Sequence, residues 1–224
     1  MQLTQEKALS MLELQAAMNC KVNPDWHEAG YPFLRAIVVE GAEGMEHHGW
    51  KWWKAQTADL AQLQMEIVDI WHFILSDAVI KAKGSLTYAA SAITLSATKP
   101  HLTGSIQFDG NEYYFSEMDT IRKLEFTIGL AVARRVSIPL FASLLADCGL
   151  TWGDLYRQYI AKNILNFFRQ DHGYKEDKYR KTWAGREDNE HLVELLSECD
   201  PDRPEFKAQL YEGLRLRYLE TAEA

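Results

Sequence analysis

TADLAQLQMEIVDIWHFILSDAVIKAK, residues 57–83, decides the fold class. Leu60, Leu63, Met65, Ile67, Ile70, Phe73, Ile74 and Val79 recur at helical steps, which predicts a long helix with a wide apolar face. Glu66 and Asp69 interrupt its most hydrophobic part, three residues apart and so on one face. A carboxylate among apolar neighbours is unfavourable unless it is neutralised or paired. These two acids therefore point to a site.

The preceding segment, residues 32–49, predicts a second helix with Leu34, Ile37, Val38 and Met45 on one side and Gly49 as its stop. It carries Glu40, Glu43 and Glu46 at three-residue steps. Packed antiparallel, the two helices would set Glu40 and Glu43 opposite Glu66 and Asp69. Four facing carboxylates repel unless hard divalent cations lie between them, and magnesium prefers oxygen ligands. Two other readings stay open: acids on solvated faces, the expectation for Glu46, or ion pairs to Lys or Arg within the bundle. A di-iron centre fits poorly, because it needs Glu-x-x-His on two helices and no Glu here has a His three residues later.

The rest of the chain is also mainly helical. Helices are expected over 3–19, 118–135, 139–148 with Pro139 as first helical residue, from Thr151 through Phe168, and near 191–197. The stretch 84–117 is rich in Ser and Thr and interrupted by Pro100 and Gly104. It reads as an irregular insertion with a β-hairpin about Asp109-Gly110. Residues 201–224 form a charged tail that is long enough for a helix of its own. The expected architecture is a single all-α domain over 1–224, a helical bundle with one insertion.

The 224 residues carry 24 Lys and Arg against 32 Asp and Glu, a net charge of −8. So acidic a chain is unsuited to a nucleic-acid polymer, whose phosphates need a basic surface. Residues 161–189 differ, with seven cations and five acids, about +2 against about −10 for the remainder. Such a local patch fits a small phosphorylated ligand, though a solvated loop has the same composition. Glu6, Lys7 and Glu13 break any apolar leader, and no membrane span is expected. Cys20, Cys148 and Cys199 are too scattered for a disulfide framework or zinc site, so a cytoplasmic protein with reduced thiols is expected.

EGAEGMEHHGWKWWK from 40 to 54 and EIVDIWHFILS from 66 to 76 resemble the paired Glu-x-x-Glu and Glu-x-x-Asp motifs of dimeric all-α dUTPases, relatives of the MazG-like pyrophosphatases. Trp-Lys-Trp-Trp-Lys between the pairs makes the likeness more specific. LQAAMN at 14–19 resembles the family's N-terminal motif, and LNFFRQDHGYKEDKYRKTWAGREDNEHL at 165–192 its phosphate-binding motif.

The resemblance implies an all-α pyrophosphatase fold and magnesium-dependent hydrolysis of dUTP, and of dUDP, to dUMP, by a homodimer. Two or more Mg2+ ions, replaceable by Mn2+, would be held by Glu40, Glu43, Glu66 and Asp69, with Glu40 or Glu43 acting on the attacking water. Gln15 and Asn19 would read the uracil edge, each offering donor and acceptor. Trp53 would line the base pocket and His72 adjoin it. Asn166 and Tyr174 would contact sugar or phosphates, and Lys181, Arg186 and Asn189 would hold the phosphate chain. Arg169, Lys175 and Tyr179 are secondary candidates. A sibling pyrophosphatase selecting another base, such as dCTP, and a non-catalytic helical interaction module are the rival readings.

Overall fold

Six helices begin on a side-chain oxygen that accepts from the first turn: Thr4, Asp59, Ser85, Asp119, Ser137 and Thr151. They are α1 (Gln5–Val22), α3 (Leu60–Lys81), α4 (Leu86–Ala97), α5 (Thr120–Val132), α6 (Ile138–Asp147) and α7 (Trp152–Asp171). α2 (Phe33–His48) ends on Gly49, whose φ of 81° is the left-handed turn that a glycine cap permits. α8 (Asp188–Glu198) and α9 (Phe206–Glu220) complete the set. The computed structural model describes residues 2–99, 104–200, 203 and 205–220. The only strands among these are two hairpins: β1 (Ser105–Phe108) with β2 (Asn111–Tyr114), and β3 (Thr182–Trp183) with β4 (Arg186–Glu187). The all-α class is as expected.

α2 and α3 pack along their length, with α5 covering the other side of α2. The main core runs from Leu3 to Leu214 and centres on α3, where Ile67, Val68, Ile70, Trp71, Leu75 and Val79 are fully buried. Trp71 stacks on Phe141 at 5.0 Å and meets the edge of Trp152 at 5.4 Å. A smaller cluster joins Ile106 and Phe115 of the hairpin region to Phe126, Leu130 and Leu140. No helix of the described residues is long and apolar enough to cross a membrane.

Within 84–117 the expected hairpin is present, with Asp109 and Gly110 both at positive φ in its turn. Pro100 lies outside the described residues. The first part of the stretch is not irregular, however: residues 86–97 form α4, with Ala89, Ala90 and Ile93 buried. Its hydroxyls turn back on their own helix, Ser91 to the Thr87 carbonyl at 3.0 Å and Thr94 to the Ala90 carbonyl at 2.8 Å. That bonding satisfies residues whose composition suggested a loop. α6 starts at Ile138 rather than Pro139, because Ser137 supplies its cap.

Candidate active site

The pairing of α2 with α3 builds one wall of a cleft of about 640 Å³, lined by Glu40, Glu43, His47, Glu66 and Asp69. Gly44 faces α3 at the contact, where a Cβ would sit in ordinary van der Waals contact, 3.4 Å from Leu63 and 3.6 Å from the Glu66 Cβ. One oxygen from each of Glu40, Glu43 and Glu66 lies within 4.8 Å of the others. The Glu40 and Glu66 carboxyl groups hydrogen-bond each other, and His47 Nε2 stands 3.5 Å from Glu66 Oε1. Burial, reinforced by the Asp69 charge, raises both Glu40 and Glu66 well above the ordinary carboxylate range.

The cations enter from the other side, Lys162 and Arg169 from α7 and Lys181 beyond it, with Glu187 and Glu190 also on the lining. Lys162 is 1% exposed, and its Nζ lies 2.7 Å from Asp69 Oδ2 and 2.7 Å from Asn189 Oδ1. Arg169 grips Asp188 with two bonds of 2.8 Å, from Nε and Nη2, and Tyr179 donates to the same carboxylate at 2.9 Å. Burial disfavours ionisation of both Arg169 and Asp188. Their mutual bonding outweighs it, raising the guanidinium and lowering the carboxyl. Asp188 is fully buried at the start of α8, so this pair ties α8 to α7.

Of the four acids expected to bind metal, the structure gathers Glu40, Glu43 and Glu66 and gives Asp69 to Lys162. Tyr174, Lys181 and Asn189 also line the cleft, with Tyr174 beneath Arg169 at 5.7 Å. Asn166 is turned to Arg169, accepting from Nη1 at 3.2 Å. Lys175 donates to the Val22 carbonyl at the end of α1, at 2.7 Å. Arg186 points to Glu194 of α8 instead of lining the cleft. Glu194 also takes Arg217 at 2.7 Å, so two guanidiniums press its pKa down to about 2. Trp53 is 56% exposed beside Trp50 and Trp52, outside the cleft lining.

Gln15, Asn19 and His72 do not line this cleft; His72 stands one helical turn beyond Asp69 on α3, and Gln15 and Asn19 face it from α1. His72 is interior rather than a pocket wall, 3% exposed and stacked on Tyr159 at 4.3 Å. Its Nδ1 is 2.7 Å from Gln15 Oε1. Burial lowers its pKa to about 4, so the ring is neutral near pH 7. Lys162 and Asp188 are the members that sequence reasoning passed over. Lys162 stood in view only as one of seven cations of its segment, and Asp188 only as one of five acids.

Three carboxylates meet here with no Lys or Arg in ion-pair contact with them among the described residues, and burial holds two of them, Glu40 and Glu66, above their ordinary ionisation range. Hard oxygen donors so arranged fit magnesium. No curated protein matches the chain. A family model described as dUTPase matches residues 7–174, a span that includes both carboxylate pairs, α7 and Tyr174. The chain belongs to the dUTPase family, enzymes that hydrolyse dUTP.

Proposed function

We propose that this dUTPase converts dUTP to dUMP and pyrophosphate, and dUDP to dUMP and phosphate, with magnesium held by Glu40, Glu43 and Glu66. The observation that carries the reading is the facing of this triad by buried Lys162 and Arg169 across one cleft. Acids on one wall and cations on the other suit a substrate whose phosphates need both bound metal and direct cationic contact. Magnesium bound there supplies neutralisation of phosphate charge and acidification of a water molecule.

The chain's own residues do the rest. Glu40 and Glu43 line the cleft beside the metal position, where either can accept a proton from the attacking water. Lys162 uses two of its three N–H donors on Asp69 and Asn189, leaving one for a phosphate oxygen. Arg169, fixed by Asp188, presents a charge with little freedom left to lose. Lys181 pairs with Glu187 at 3.1 Å and is half exposed, so its ammonium can turn from that exposed carboxylate to a phosphate oxygen. Gln15 and Asn19 read the base. The cellular role is removal of dUTP before uracil enters DNA, with dUMP as the useful product. A homodimer in the cytoplasm accords with the family likeness.

The test is pyrophosphate release from a panel of deoxynucleoside triphosphates during magnesium titration, with Mn2+ as substitute. dUTP should be preferred and turnover should vanish in EDTA. Preference for dCTP, or turnover indifferent to metal, overturns the reading. Sedimentation at micromolar concentration checks the dimer.

A further inference from the structure

We propose that His72 and Ser76 fix the sense in which the Asn19 carboxamide faces the base, and so set the preference for uracil over cytosine. This rests on Gln15 and Asn19 being the base readers.

A ring of hydrogen bonds carries the argument. His72 Nδ1 donates to Gln15 Oε1 at 2.7 Å, and Gln15 Nε2 donates to Asn19 Oδ1 at 3.1 Å. Asn19 Nδ2 donates to Ser76 Oγ at 3.0 Å, and Ser76 donates to the His72 carbonyl at 3.1 Å. The ring opens and closes on His72. Gln15, His72 and Ser76 are 4%, 3% and 0% exposed, and only Asn19 is half open.

A carboxamide turned by half a revolution keeps its shape and exchanges donor for acceptor. Reversal here would have to pass around the whole ring and end with the His72 proton on Nε2. That atom is buried and has no hydrogen-bond partner. A bare lone pair there is less unfavourable than a stranded N–H, so the proton belongs on Nδ1.

So oriented, Asn19 has one N–H and one lone pair left for a ligand. An imide edge, with a carbonyl beside N3–H, can satisfy both. Cytosine offers the same two positions with polarity reversed, so donor meets donor and acceptor meets acceptor. An Asn19 free to turn would accept either base. The lock is thus a device for exclusion as much as for binding. His72 and Ser76 act through Asn19 and are positioning residues.

The experiment measures kcat/KM for dUTP and for dCTP in the wild type and in Asn19→Ala, Ser76→Ala, His72→Leu and His72→Asn, and reads the ratio. Asn19→Ala should collapse it. Ser76→Ala and His72→Leu should lower it by about tenfold or more, whereas His72→Asn, which keeps an N–H near the Nδ1 position, should preserve most of it. A purely structural role would lower both substrates together and leave the ratio intact, which overturns the lock. If Asn19→Ala alone lowers the ratio, the base reading stands and the lock falls. If Asn19→Ala leaves the ratio unchanged, or the wild type shows no preference, the base reading falls and the lock with it. Ser76→Ala, a small change inside a helix, decides the matter if His72→Leu does not fold.

Discussion

Lys162 reconciles the two sides of the cleft at the level of single residues. Its ammonium group is almost wholly enclosed, a position a lysine occupies only when its charge is matched, and Asp69 matches it at 2.7 Å. Lys162→Met keeps most of the stem's volume and removes the charge. It should destabilise the protein by about 3 kcal/mol, because Asp69 is left unpaired in a half-buried site, and reduce kcat/KM for dUTP. Urea unfolding checks the first effect and steady-state kinetics the second. Glu66 has the opposite relation to charge. Burial first, then Asp69, raise it from the usual 4.5, so the stability it contributes is complete below that value and fades as pH rises through its folded-state value. In EDTA, thermal stability should therefore decline from pH 5 to pH 9. Glu66→Gln should remove part of that decline, exceed wild type in stability at pH 8 by on the order of 1 kcal/mol or more, and abolish turnover. Magnesium at pH 8 should raise the melting temperature of wild type more than that of Glu66→Gln. An unchanged pH slope in the variant would remove Glu66 from the cluster.

Helix by helix, the paired-carboxylate wall depends on how closely α2 approaches its neighbours. Two glycines on α2 look alike in the sequence and differ in space. A Cβ at Gly41 would fall 2.7 Å from Ile128 Cγ1 of α5, whereas one at Gly44 would meet its nearest neighbour at an ordinary 3.4 Å. Alanine raises helix propensity by about 1 kcal/mol at either position, but at Gly41 overpacking costs about 1–3 kcal/mol. Gly44→Ala should be neutral or stabilising and Gly41→Ala a net loss, as thermal melts will show. The carboxylate wall was legible because local information suffices for it: three-residue spacing on two consecutive helices that pack together puts Glu40, Glu43 and Glu66 in one place. The Thr151 cap and Gly49 stop were readable for the same reason. α4 was not, since its Ser and Thr hydroxyls satisfy themselves on the helix's own carbonyls and imitate loop composition. Nor was the Lys162–Asp69 pair, in which the partners stand 93 positions apart and no periodicity links α3 to α7.

The whole molecule divides its labour between an acidic half, α2 with α3, and a cation-bearing half, α7 with the segment that follows it, and α9 braces that segment. Tyr218 stacks flat on Tyr179 at 5.3 Å, and its carbonyl accepts from Arg180 Nη2 at 2.6 Å. Tyr211 donates to Asp171 at 2.8 Å, and Arg217 reaches Glu194, the partner of Arg186. The buried side of α9 consists of Phe206, Leu210 and Leu214, the last two fully enclosed. α9 lies wholly beyond the matched residues 7–174, and a charged tail gave no sign that it secures Tyr179 and Arg180. Leu214→Ala should cost about 3 kcal/mol as a core truncation, and its effects should be uneven. Residues 174–190 should exchange amide hydrogens faster while α3 stays protected, since local opening follows the loss of local contacts. The KM for dUTP should rise several-fold with a smaller change in kcat, because Lys181 and Tyr174 lose their support and the Glu40–Glu66 pair does not. Hydrogen exchange by mass spectrometry, run beside the kinetics, separates this from general loosening: equal acceleration in α3 and in 174–190, with kcat falling as far as KM rises, would show that α9 stabilises the fold without serving the cleft.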